Sequence, residues 1–548
     1  MSPDVLIVGA GPVGLTMAAA LDHHGLKCRI IDKAPAPSDK SKALVVWSRT
    51  LELLDRLQLA DTFVAAGMKA DGASMYANGE RLMHISLTGV DSPFGFPLML
   101  PQNETERLLA EYLAKRGVTV QRQIELLSFG EQPDGVAGNL RHADGSEESF
   151  TVPWLIGCDG AHSTVRHGLG LQFTGSAEPN DWFLADIHVR GPLAKNELSI
   201  YWHEKGVLVF FPIDGVRFRV IADLGTAANT GSPPDPTLAQ VQAKIDERGP
   251  GGLTIMDPVW LAGFRINERK VTDYRRGRVM LAGDAAHIHS PAGGQGMNTG
   301  MQDAFNLAWK LALVQRGQGQ REPLLESYSK ERSAVGDQVL KGAALVTLSA
   351  TLRNPIAQYL RNHIAPIVSS FGFVQDRLKN MLCELAINYR HGPLTAESWP
   401  RHLTGLAAGD RLPDAPLTSL AAAKTTTLFA ELHGTEHTLL LMPDSQGEQA
   451  AARLASIAVS VRATYPNLIA PWFLLKPSGD PPSANSTLDE SRIPTWFDRD
   501  SKLHEKLNVS GPALVLIRPD GYIGYRCQPA DGDELNQHLA TYLISTHE

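Results

Sequence analysis

The chain has 548 residues, enough for three or four domains at roughly 150 residues each, and its 43% hydrophobic and 20% charged content allows large cores. A formal net charge of −8 speaks against a nucleic-acid backbone as the main partner, because such proteins are usually basic. Cys28, Cys158, Cys383 and Cys527 lie far apart with no C-x-x-C pair, which argues against a disulfide framework or a cysteine zinc site and fits a reducing cytoplasm; no signal peptide and no membrane-spanning run are expected.

Residues 4–8, DVLIV, are short, apolar and β-branched, the pattern of a buried strand. GAGPVG follows at 9–14, then LTMAAALDHHG with helical spacing, ending at Gly25, then a second strand, LKCRIID, at 26–32. Gly9, Gly11 and Gly14 fit G-x-G-x-x-G, and Asp32 stands 23 residues after Gly9. Glycines at this turn let a pyrophosphate approach backbone N–H groups at a helix N-terminus. The acid accepts hydrogen bonds from ribose hydroxyls, so the unit predicts dinucleotide binding. Residues 48–59 and 101–117 have the spacing of amphipathic helices, the second starting near Asn103. VPWLIGCDGAHSTVR at 152–166 reads as a strand, a tight Cys-Asp-Gly turn and a helix start. Between 180 and 265, β-formers cluster between glycine-containing turns, which predicts an antiparallel sheet inserted into the nucleotide-binding domain.

A buried strand, VMLA, then leads into LAGDAAHIHSPAGGQGMNTG at 281–300. A helix follows over 301–317, with Met301, Ala304, Phe305, Ala308, Leu311 and Ala312 on one face. Helical segments continue to about 392, a Pro-rich linker covers 409–417, and the rest suggests a small α/β domain with a Pro519-Asp520-Gly521 turn between two strands. Two glycine-rich, helix-N-terminal surfaces in one chain fit one long ligand, FAD. Its adenosine and pyrophosphate would lie on the first, and its ribitol and isoalloxazine on the second. Asp284 would accept from a ribitol hydroxyl, and Gly293, Gly294 and Gly296 would let backbone N–H groups reach the flavin edge. The helix near Met297 would aim its positive end at the N1/C2 carbonyl region and favour the anionic reduced flavin. His287 and His289 form an H-x-H pair without a third ligand at suitable spacing, so no metal is expected. Arg166 is read as the partner of an acid such as Asp159.

Three motifs, GAGPVG at 9–14, CDGAHSTVR at 158–166 and GRVMLAGDAAHIHSPAGGQGMNTGMQDAFNLAWKL at 277–311, stand in the order found in one family. Over about residues 1–395 the chain resembles the single-component FAD-dependent aromatic hydroxylases, similar to p-hydroxybenzoate hydroxylase and phenol hydroxylase. Its tail resembles the thioredoxin-like C-terminal domain of the phenol- and polyketide-hydroxylase branch, without C-x-x-C. The resemblance implies an α/β chain: a Rossmann-like FAD-binding domain at 1–179 and 266–395, a substrate-binding β-sheet domain at 180–265, a linker at 396–417 and a thioredoxin-like domain at 418–548.

It also implies roles for residues. Asp32 would hold the adenosine ribose, Asp159 would support the pyrophosphate, and Gln102 would contact the ribityl chain or flavin. Asp284 would hold ribitol, Pro291 would flank the reacting edge, and Gly296, Met297 and Asn298 would offer backbone donors. Lys42 stands where the family often has arginine, keeping the charge without the two-pronged geometry. Substrate would lie against the 180–265 sheet, with Trp202, Phe210, Phe211 and Arg219 as candidate lining and His203 or Tyr201 as candidate base. The implied reaction is hydroxylation of a phenolic or polyketide ring with O₂, through a flavin C4a-hydroperoxide, with NAD(P)H binding transiently. A Baeyer–Villiger or epoxidising enzyme of the same fold, and a FAD-sequestering protein without turnover, are the alternatives; a homodimer is compatible with the family.

Overall fold

The structure is a computed structural model, and it describes residues 2–546 except 228–230, 232, 292, 353, 370, 421–423, 444–447 and 477–492. The apolar strand Val5–Val8 sits at the centre of a six-stranded sheet, flanked by Cys28–Asp32 and Trp154–Gly157, both parallel to it. Val120–Arg122 and Val279–Leu281 extend the parallel run on either side, and Arg275–Arg276 adds an antiparallel edge. Such strands read as continuous apolar runs because helices cover both faces. The covering helices include Pro12–His23 and Gly296–Gln315, whose apolar residues join one core with the strands. All parallel strands end on the same side. Gly9, Asp32, the Cys158–Asp159 turn and the turn at Gly283 therefore meet at their carboxyl ends, where open α/β sheets bind ligands.

The second sheet has eight strands and is larger than the expected 180–265 insert. Thr174–Arg190, Leu198–His203, Gly206–Pro212, Arg217–Thr226 and Thr254–Lys270 form its body. A hairpin from far upstream, Gly72–Ala77 with Glu80–Ser86, completes one edge, and His287–Ile288 completes the other. The glycine-rich motif after strand Val279–Leu281 is thereby stitched directly to this sheet.

Helices Arg321–Ala350, Pro355–Ser369 and Gly372–Leu382 lead to a third, mixed sheet of eight strands in the C-terminal region. The 396–417 stretch differs from the expected linker. Ala396–Ser398 pairs with Ile523–Cys527, and Pro416–Ser419 pairs with Thr495–Asp498, so both of its ends are strands of that sheet. Among the described residues no helix is long and apolar enough to cross a membrane, and no group of His, Cys, Asp and Glu is placed to hold a metal.

Candidate functional site

A cavity of about 630 Å³ opens at the carboxyl ends of the parallel strands, within the range of small-molecule and cofactor sites. The three glycines of the first motif have different reasons to be glycine. A Cβ on Gly9 would sit 2.4 Å from the Cys158 carbonyl oxygen, and one on Gly14 1.9 Å from that of Gly9. Gly9 and Gly14 are therefore required by the chain's own packing. A Cβ on Gly11 would meet nothing within 4 Å. Gly11 faces the cavity as the N-cap of Pro12–His23, a helix start with no side-chain cap. Its first N–H groups are thus left for an anion.

Asp32 ends its strand on the cavity wall, with Oδ2 accepting from Ala10 N at 2.7 Å and Oδ1 from Ala34 N at 2.8 Å. These bonds, with Arg122 Nη1 3.6 Å from Oδ2, fix the carboxylate on the wall. Asp159 also reaches the wall, yet its carboxylate turns into its own loop. Oδ1 accepts from Ser163 Oγ at 2.5 Å, and Oδ2 accepts from Thr164 N and Val165 N at 2.6 and 3.2 Å. It shapes the Cys-Asp-Gly turn, and Gly160 beside it has open space where a side chain would be. Arg166 does not pair with it by hydrogen bond. It donates to the carbonyls of Ala285 and Ala161, with its guanidinium 3.7 Å from the centre of the Phe173 ring.

Asp284 is the acid that remains free for a ligand. It lines the cavity from a single 3-10 turn, Gly283–Ala285, and accepts no hydrogen bond from the described residues. Its side chain is open to the cavity but deep in the protein, and that burial raises its carboxyl above the usual range against the pull of His287 and Lys42. Pro291, Gly294, Gly296 and Met297 line the same wall, where Gly296–Gln315 begins without a side-chain cap. His289 joins them; burial holds its ring down to about 4, so it adds no charge at neutral pH. Asn298 is not on the wall. Its side chain accepts from Trp47 N at 2.9 Å and donates to Val45 O and Gly294 O at 2.8 and 3.0 Å, clasping the loop to a neighbouring strand.

Lys42 and Gln102 complete the opposite wall. The Gln102 amide is engaged by the protein, accepting from Ala43 N at 3.1 Å and donating to Glu106 at 2.9 Å, so it orders the 41–43 segment. Arg219 lines the cavity and pairs two-pronged with Asp186 at 2.8 and 2.9 Å. It also donates to the carbonyls of Lys42 and Ser41, stapling that segment to the second sheet. Phe211 and Ile221 face the cavity beside it.

The other residues expected at the substrate are elsewhere. Side chains alternate along a strand, so Phe210, next to Phe211, points into the opposite face and packs edge-on against Tyr201 and Phe218. Tyr201 stacks on Tyr76 at 4.9 Å within that core. Trp202 lies under the Arg361 guanidinium at 4.3 Å, and His203 sits at a hairpin end, its Nδ1 accepting from Lys205 N. None of these four lines the cavity, so the structure does not bring the expected base to it.

Asp303 is the residue that the motif reading missed. It is fully buried two turns into Gly296–Gln315. Oδ2 accepts from Gly283 N at 2.9 Å and is 2.8 Å from His287 Nε2; Oδ1 accepts from Arg332 Nε at 2.6 Å. It thus ties both flanks of the glycine-rich loop to the helix. The only signal in the sequence is a carboxylate set among apolar residues of a buried helix.

Comparison with known proteins agrees in extent with this geometry. The FAD binding domain family matches residues 2–343, and the aromatic-ring hydroxylase C-terminal family matches 406–544. The chain is 34% identical to 6-methylpretetramide 4-monooxygenase of Streptomyces rimosus, over 99% of this chain and 94% of that one. It is 31% identical to pentachlorophenol 4-monooxygenase of Sphingobium chlorophenolicum, over 98% and 96%. An anhydrotetracycline hydroxylase structure from Streptomyces rimosus superposes with a TM-score of 0.75 at 26% identity, covering 99% of each chain.

Proposed function

Because the chain belongs to the FAD-dependent aromatic-ring hydroxylases and is a FAD-dependent aromatic monooxygenase, we propose that it hydroxylates a phenolic ring, in a single-ring or polycyclic substrate, with NAD(P)H and O₂ as co-substrates. The observation that carries this reading is the continuity of the cavity. The Gly11 cradle, Asp284, the uncapped start of Gly296–Gln315 and the Phe211–Ile221 face of the second sheet bound one space. A cofactor on the first three faces a substrate on the last.

The residues fit FAD. The open space at Gly11 and the carboxylate of Asp284, unpartnered among the described residues, are features that the contacts of those residues leave unused. When bound, FAD supplies hydride acceptance and O₂ activation, chemistry that no side chain here provides. The chain's own groups bind and orient. In this reading the N–H groups after Gly11 hold the pyrophosphate, Asp32 the adenosine ribose, and Asp284 a ribitol hydroxyl. The Gly160 turn gives close approach, and Asp159 holds that turn in shape. The N–H groups of Gly296 and Met297 favour negative charge at the flavin edge. Pro291, Phe211 and Ile221 supply apolar surface that keeps water from the reacting edge. Gln102, Arg219 and Asn298 act one step away, by ordering the segments that touch the ligand.

Gly11→Val tests the cradle cleanly. Because a Cβ there meets no protein atom within 4 Å, the apoprotein is expected to keep its thermal midpoint while FAD affinity falls at least about 100-fold, the cost of roughly 3 kcal/mol of steric exclusion. Asp284→Ala is expected to weaken FAD about 10- to 100-fold, in line with one hydrogen bond to a charged group. A variant that purifies fully yellow and holds FAD through dialysis contradicts the ribitol assignment.

A further inference from the structure

Glu384 combines two unfavourable features. It is 1% exposed, and its backbone is left-handed at φ 59°, a region that side-chain-bearing residues seldom occupy. Strain and a buried ionisable group persist together where surrounding contacts over-determine them, and such places cluster at functional sites. Here the contacts run to the first two turns of Gly296–Gln315, the helix that begins on the cavity wall. Thr299 Oγ1 donates to Glu384 Oε1 at 3.0 Å, and the Gln302 amide meets Oε2 at 2.5 Å. The same segment holds the N-cap of that helix, with Gln295 Nε2 donating to Met381 O at 2.9 Å, and it receives Arg49 N on Cys383 O at 3.2 Å.

The amide oxygen of Gln302 is otherwise buried without a partner. Turned by half a rotation, that amide presents its oxygen to Glu384, and a neutral carboxyl donates to it. The neighbouring charges do not supply a counter-ion in contact. Arg332 attracts the carboxylate from a distance but is engaged by Asp303, Tyr389 Oη and Thr299 O, and His287 shares the same Asp303. On the other side Arg49 and Arg411 are both paired with Glu52. Burial pushes the Glu384 carboxyl up to about 8, outweighing the two hydrogen bonds and Arg332, with Asp303 adding to the rise.

We propose that Glu384 is a positioning residue for the cavity end of Gly296–Gln315: its carboxyl holds Thr299 and Gln302 and, by gaining or losing a proton, sets the field that the helix N-terminus presents to the cofactor. This rests on the reading that the flavin lies against that N-terminus. A negative charge in the first turns of a helix offsets its positive end. Neutral Glu384 therefore leaves the field that favours reduced flavin intact, and ionised Glu384 weakens it.

The test is the reduction potential of bound FAD against pH, from about 6 to 10, for the natural protein, Glu384→Gln and Glu384→Gly. Glycine accepts the left-handed backbone without strain, so the second variant folds even where the first does not. The natural protein is expected to show a steeper fall of potential across about pH 7–9 than either variant, with the three curves meeting at the acid end. Equal slopes in all three overturn the proposal, including the case in which the variants lose only thermal stability. FAD titration of Gly11→Val distinguishes the premise: unchanged FAD affinity there shows that the cofactor lies elsewhere and overturns the proposal with it.

Discussion

Replacing Asp303 with alanine is expected to cost about 3–5 kcal/mol and to yield protein without bound FAD. The expectation follows from what the carboxylate does. Three donors converge on it, from Gly283 N, His287 and Arg332, all within 2.9 Å, and the side chains of Asp303, His287 and Arg332 are at most 1% exposed. Burial alone would push the carboxyl up, but Arg332 and His287 outweigh it and hold the group below the usual carboxylate range. The stability that this carboxylate contributes is therefore present above the pKa of an unfolded carboxyl and is lost as pH falls through the depressed value. Removing the acid leaves Arg332 buried without its counter-ion, the case in which breaking a buried pair is strongly destabilising. It also frees Gly283 and His287, the residues on either side of Asp284. Asp303→Asn keeps the shape and one acceptor, and is expected to fall between the two. Thermal midpoint and the FAD content of purified protein read both effects. A fully yellow Asp303→Ala protein with an unchanged midpoint would contradict this role.

Removing Arg518 is expected to be as damaging, although it lies in the C-terminal region. Arg518 and Asp520 stand at the tip of a hairpin between Ala513–Ile517 and Ile523–Cys527, and that tip is pressed into the FAD-binding region. Arg518 donates two-pronged to Glu331 at 2.7 and 2.9 Å and also pairs with Asp520. Glu331 receives Lys310 and Asn306 as well, both at 2.8 Å, and Asp520 receives Trp309 Nε1 at 3.2 Å. Arg49 Nη2 donates to the Asp520 carbonyl at 2.7 Å. Every one of these side chains is buried. Arg518→Met removes one charge from a network whose other members cannot reach water. The expected cost is again about 3–5 kcal/mol, a drop in thermal midpoint of about 3–4 °C for a chain of this size unfolding as one unit. A chain truncated before residue 396 is expected to be insoluble, because it would expose Trp309, Leu313 and Leu324, which share an apolar core with the C-terminal region. A soluble, FAD-binding truncation would show that the two regions are independent.

The glycine-rich half of the cavity was legible in the sequence because its signals are local. Glycines at 9, 11 and 14, an acid at a strand end and a glycine-rich helix start each announce themselves within a few residues. The wall formed by the second sheet was not, because a residue's face on a strand is decided by what the sheet packs against. Phe210 and Phe211 are chemically identical neighbours, and only the second faces the cavity. Trp202, His203 and Tyr201 were drawn to the site by residue type, and their strand carries them to the core or a hairpin end. The strands at 72–77 and 396–398 each pair with a strand more than a hundred residues away, a pairing with no local signature. Asp303, Arg332 and Glu384 went unread for the same reason, since each acquires its meaning only from partners brought together by the fold.

The most direct test is oxygen-isotope transfer by the purified, FAD-loaded protein. It would be supplied with NADPH or NADH under ¹⁸O₂ and offered phenols and polycyclic aromatic polyketides, with nicotinamide oxidation and product mass followed together. The account predicts aromatic-stimulated nicotinamide oxidation and a product carrying one ¹⁸O atom per nicotinamide consumed. A product oxygen drawn from water, or nicotinamide oxidation that yields only hydrogen peroxide with every aromatic offered, would contradict it.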